Sequence, residues 1–193
     1  MSAVVVDEQA PPHPSLLRVG MVIWLSSELM FFAGLFSAWF GLRAAAAEGA
    51  WPPEDVELAP LRTGVFTALL VASSFTMHLA VRAAESGERV RLVRFTALTF
   101  ALGAVFLTNQ ALEYAELSFD FGSHAYGSIF YLMTGFHGLH VLGGLGLMAA
   151  VLPLGLGRGS RAPLAEHVAV SGYYWHFVDV VWVAMFTTIY VIG

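Results

Sequence analysis

The chain has 193 residues, of which 58% are hydrophobic and only 12% charged, and its formal net charge is −5. Ordinary soluble domains carry about a quarter charged residues, so the surplus of apolar side chains, fifteen Phe, six Tyr and five Trp among them, has to face something other than water, and lipid is the simplest candidate. With no cysteine, disulfide frameworks, thiolate metal sites, iron–sulfur clusters and covalent c-type haem attachment are excluded, and the acidic balance gives no reason to expect nucleic acid as a partner.

Residues 1–18 read as a polar tail with Asp7, Glu8 and three prolines. They lack the basic start and short apolar stretch of a cleavable leader, so the first helix is expected to insert and stay. Five apolar runs follow, near 19–42, 63–83, 92–112, 126–154 and 168–192, each at or above the ~20 residues that cross a bilayer as a helix. Helices are expected because backbone polar groups need internal partners in hydrocarbon, and the runs lack the ~10-residue alternation of barrel strands. The connections are short and hold most of the charge, including Glu54, Asp55 and Glu57 after Trp51-Pro52-Pro53. The fold class is therefore all-α, one transmembrane domain of five helices over 19–193.

All nine basic residues are arginines. With the N-terminus cytoplasmic, that side holds Arg18, Arg82, Arg89, Arg91, Arg94, Arg158 and Arg161, seven in all, and the other side holds Arg43 and Arg62, two. The positive-inside bias predicts an inner N-terminus and an outer C-terminus. Gly20, Ser27, Gly34 and Gly41 recur at seven-residue intervals along the first helix. Such a strip is expected to let another helix approach closely. The glycines of the fourth run, Gly135, Gly138, Gly143, Gly144 and Gly146, are expected to do the same.

Six ionisable residues fall at bilayer depth: Glu28, His78, His137, His140, His176 and Asp179. Each carries an insertion penalty of a few kcal/mol on translocon scales and so needs a reason to be there. Glu28 sits among Trp24, Phe31, Phe32 and Leu35, and is expected to be neutral unless a basic partner reaches it. It reads equally as a proton-relay group and as a carboxyl hydrogen-bonded across a helix interface. His137 and His140 share a helix face, as do His176 and Asp179, each pair being three residues apart. Pairing across helices is one reading of these four. A His/carboxylate metal centre with Glu28 is another, although a ferritin-like site would want two Glu-x-x-His repeats. His78 has no partner at helical spacing and is expected near an interface.

The motifs become specific in three places. Ser27-Glu28 followed by Phe31-Phe32-Ala33-Gly34 resembles the glutamate-bearing helix of cytochrome c oxidase subunit III. Thr134-Gly135-Phe136-His137-Gly138-Leu139-His140-Val141 and Tyr174-Trp175-His176-Phe177-Val178-Asp179-Val180-Val181-Trp182 resemble that family's last two helices. The likeness runs in order from about Val19 to the end, and matches the short, five-helix bacterial form. It implies an accessory subunit, not itself catalytic, of a proton-pumping terminal oxidase in the bacterial plasma membrane, beside subunits I and II. This chain would carry no haem or copper, both lying in partner subunits. It would hold phospholipid, support proton uptake and the durability of subunit I, and belong in some cases to a supercomplex with a cytochrome bc complex. Carried over by residue, Glu28 is the buried carboxyl and His137, His140, His176 and Asp179 form the interhelical polar network. By their position at helix ends, Arg82, Arg158 and Arg161 are candidate lipid head-group contacts. The same role in a quinol oxidase and a stand-alone membrane metalloenzyme remain the alternatives.

Overall fold

The computed structural model describes residues 15–157 and 161–193, with the side chains of 161–163 outside the description. Five helices account for nearly all of it: α1 (Leu16–Ala45), α2 (Pro60–Glu85), α3 (Arg89–Glu116), α4 (Ala125–Leu156) and α5 (Arg161–Phe186), the last continued by a π-helical turn over Thr187–Val191. All five spans are long and apolar enough to cross a membrane. Among the described residues there is no strand.

Most helix ends lie a few residues beyond the apolar runs, because the chain keeps its hydrogen-bond ladder until a polar group at the interface takes over the orphaned amides. Ser15 caps α1, its hydroxyl accepting from the Arg18 amide at 3.3 Å. Pro60 opens α2, a position whose amide would have no helical partner in any case. His124 caps α4 through Nδ1, which accepts from the Gly127 amide at 2.8 Å.

In the bundle α2 lies against α3 and α5, α4 lies against α3 and α5, and α1 is laid on α4 and α5. The shared core is aromatic, with Trp175, Trp182, Phe106, Phe130 and Tyr126 almost fully buried. Trp175 explains two glycines. A Cβ on Gly103 would stand 2.5 Å from its ring and one on Gly144 2.6 Å, far inside van der Waals contact, so α3 and α4 must both present bare backbone there. Gly143 fits the expectation in the same way, a Cβ falling 2.9 Å from the Tyr174 hydroxyl oxygen.

The strip on α1 meets no other described helix of this chain. A Cβ on Gly20, Gly34 or Gly41 would meet nothing within 4 Å, and the Ser27 hydroxyl donates to its own backbone at Trp24 O, 2.7 Å away. The small residues face outward from the bundle. The face of α1 that packs is the opposite one, where Phe32 and Trp39 are buried.

Candidate functional site: paired polar side chains at bilayer depth

Four places in the described helices hold ionisable side chains. The first joins α1 to α4. Glu28 Oε2 lies 3.2 Å from His140 Nε2, and His140 Nδ1 lies 2.7 Å from the Phe136 carbonyl. A carbonyl only accepts, so Nδ1 must carry a hydrogen and donate it. One further proton then sits between Nε2 and Oε2: either the Glu28 hydroxyl donates to a neutral imidazole, or an imidazolium donates to the carboxylate. Both forms have no net charge, which suits the depth. Aromatic rings enclose the pair. Phe32 meets the His140 ring edge-on at 5.0 Å, Phe31 does the same to Phe136 at 4.9 Å, and Trp24 stacks on Tyr174 at 5.5 Å. The Tyr174 hydroxyl donates to the His140 carbonyl at 2.9 Å, tying α5 to the same point. Glu28 keeps 22% of its side chain exposed on the outward side. The basic partner that the sequence left open is His140.

The second place holds His137. Its ring is stacked on Trp182 at 4.8 Å and meets Phe106 edge-on at 6.1 Å. It is 1% exposed, and neither ring nitrogen meets a hydrogen-bond partner among the described residues. Sharing a helix face with His140 therefore does not give it the same partner.

The third joins α2 to α5. Ser74 donates its hydroxyl hydrogen to Asp179 Oδ2 and lies 3.0 Å from His176 Nδ1. Since the single hydroxyl proton goes to Asp179, the imidazole Nδ1–H donates to Ser74 Oγ. Nearby, Trp175 and Trp182 donate their indole N–H to Ser73 Oγ at 2.8 Å and Thr67 Oγ1 at 2.9 Å, so α2 receives α5 through a row of hydroxyls. Glu28 and His140 take their partners on α1 and α4, His176 and Asp179 on α2 and α5. Among the described residues no group of three or more His, Cys, Asp or Glu side chains is placed to hold a metal ion.

The fourth place was missed by sequence reasoning. Glu113 of α3 is 4% exposed and its Oε1 accepts from the Thr63 hydroxyl at 3.1 Å and the Tyr190 hydroxyl at 2.9 Å. Beside it Arg62 donates through Nε to Asn109 Oδ1 at 2.8 Å and pairs with Glu116. Arg62, Glu113 and Glu116 line, with Glu57 and Ser118, a cavity of about 250 Å³. The signal was present: Asn109, Gln110 and Glu113 share one helical face. The apolar run had been ended at Leu112, which assigned Glu113 to a loop.

Of the candidate head-group arginines, Arg82 lines a cavity of about 240 Å³ with Ser86, Glu88 and Arg91, at the turn between α2 and α3. Arg158 lies outside the described residues, and so does the side chain of Arg161 at the start of α5. His78 stands on an outward face of α2.

Five apolar helices, each long enough to cross a membrane and joined to one another by polar contacts at depth, define a multi-pass membrane protein. The sequence profile of the family described as cytochrome c oxidase subunit III matches residues 8–193. The chain is 48% identical over 184 residues to a probable cytochrome c oxidase subunit 3 of Mycobacterium tuberculosis, covering 93% of this chain and 90% of that protein. It is 47% identical over 194 residues to the Nocardia farcinica protein of the same description, covering 98% and 94%. With cytochrome c oxidase subunit 3 of Corynebacterium diphtheriae it shares 42% identity over 185 residues, covering 93% and 90%. The chain belongs to the cytochrome c oxidase subunit III family. It is thus an accessory, multi-pass membrane subunit of a haem-copper oxidoreductase complex.

Proposed function

We propose that this chain serves the oxidase by supporting proton uptake at the haem-bearing subunit I and by keeping that subunit active through repeated turnover, with cytochrome c as donor and subunit II as a further neighbour. The observation that carries the reading is the Glu28–His140 pair, two titratable groups 3.2 Å apart that hold one proton between them within the apolar part of the bundle. Such a pair hands on its shared proton as another arrives, so no net charge persists in hydrocarbon, and the partly exposed Glu28 gives it an outward face. His176, Asp179 and Ser74 lock α2 to α5, and His137 fills the aromatic core. Haem and copper belong to the partner subunits. The arginine bias puts the N-terminus and the α2–α3 turn on the cytoplasmic side, where the Arg82–Arg91 cavity takes an anionic phospholipid head group.

Glu28→Gln in the assembled oxidase tests the role of the pair. The amide keeps the shape and donates to His140 Nε2, yet has no proton to give up. Oxygen uptake should be near normal at neutral pH and fall more steeply than wild type toward alkaline pH. A pH profile superimposable on wild type would remove the pair from proton uptake.

A further inference from the structure

One face of the bundle turns ionisable side chains outward. Ser74, His176 and Asp179 lie in a groove of about 260 Å³ between α2 and α5, walled by Val71, Val180 and Val183. Val180 is 69% exposed, Val183 42% and Val71 37%. His78, one turn along α2 from Ser74, also faces outward.

The depth of the groove decides what covers it. Ser74 is near the middle of α2, roughly 20 Å from the Pro60 end at 1.5 Å per residue, and Asp179 is near the middle of the Leu164–Val191 span. Phospholipid head groups sit at the membrane surface, and acyl chains offer no hydrogen bonds. Ionisable groups in transmembrane segments almost always face the bundle interior or water for that reason. Here the polar chain runs outward: Asp179 accepts from Ser74, Ser74 accepts from His176 Nδ1–H, and no residue of the chain bonds His176 Nε2 among those described. With Nδ1 carrying the hydrogen, Nε2 is an acceptor that still wants a donor. Asp179 is 4% exposed, yet its Oδ1 also has no partner among the described residues.

We propose that this groove is the docking surface for a transmembrane helix of the haem-bearing subunit, which seats against the three valines and donates a hydroxyl or amide hydrogen to His176 Nε2. A helix fits the demand because it brings a hydrogen-bond donor to mid-bilayer with its own backbone satisfied, and polar side chains serve as contacts between helices in lipid. The inference rests on the reading that the chain works within the oxidase, and adds which face meets the partner.

The test uses the assembled oxidase in mild detergent, with a photoreactive benzophenone side chain replacing Val180 or, on α4, the outward Leu139. Light should join the Val180 position to the subunit identified by its haem absorbance. A second pair of variants adds bulk without touching the polar groups: Val180→Trp should be retained on the haem-bearing subunit about tenfold less than wild type, with Leu139→Trp retained as wild type. Cross-linking of the Val180 position to lipid, to a quinone or to a second copy of this chain would overturn the docking face while co-purification left the oxidase reading standing. Failure of the wild-type chain to co-purify with a haem protein would overturn both.

Discussion

Glu113 shows how one carboxyl holds an end of the bundle together. It accepts from Thr63 on α2 and from Tyr190 in the π-helical turn after α5, so three segments meet on a single oxygen. Glu113→Leu strips the Tyr190 hydroxyl of its acceptor in a buried place and leaves Thr63 only the Ala59 carbonyl, and should destabilise the chain by about 1–3 kcal/mol. Glu113→Gln keeps a carbonyl oxygen in the same position and should lose much less. Thermal unfolding in detergent separates the two: equal midpoints for Leu and Gln would mean that the hydrogen bonds are not what Glu113 contributes. At this scale the sequence identified residue types at depth but not their partners. The spacing put His137 and His140 on one face, yet a difference of three residues was enough to send one ring into an aromatic box and the other to Glu28. That choice depends on which neighbouring helix lies over each position, which hydropathy does not encode.

Glycines distinguish the helices from one another. On α4 the Gly144 position accepts the Trp175 ring at a distance that a methyl group cannot share. Gly144→Ala should therefore strain the α4–α5 contact by about 1–3 kcal/mol, the range for overpacking a filled core. Gly34 on α1 faces open space, and Gly34→Ala should be neutral or slightly stabilising because alanine favours the helix. The check is the unfolding midpoint of each variant. A loss for Gly34→Ala matching that for Gly144→Ala would mean that the α1 strip is packed after all. Helix number and order were legible because lipid demands ~20 apolar residues per crossing. Ends were less so, since the Ser15, Pro60 and His124 starts are set by capping and not by apolarity. The α1 strip meets no other described helix of this chain, and hydropathy does not encode on which side of a helix its neighbours lie.

For the whole molecule, the arginine distribution makes a directional statement. Single cysteines at positions 88 and 54 report on the two sides of the membrane without background, as the native chain has no thiol. An impermeant thiol reagent applied to intact cells should label position 54 and spare 88. The reverse would invert the chain and move the Arg82–Arg91 cavity to the outer leaflet.

The motifs in α1, α4 and α5 carried the family likeness, because the same side chains that pair the helices also form the recognisable segments. The central claim is that this subunit sustains proton supply without carrying electrons. Oxygen uptake followed over time tests it most directly, comparing the complete oxidase with one stripped of this chain at neutral and alkaline pH. The stripped enzyme should reduce oxygen when first assayed at neutral pH, slow more than the complete enzyme at alkaline pH where protons are scarce, and lose activity as turnovers accumulate. Couplings between neighbouring sites of about 1–3 kcal/mol correspond to changes of about 5–150-fold, so the alkaline difference should fall in that range. Immediate and total loss of oxygen reduction on stripping would contradict the account, and so would a stripped enzyme with the pH profile and lifetime of the complete one.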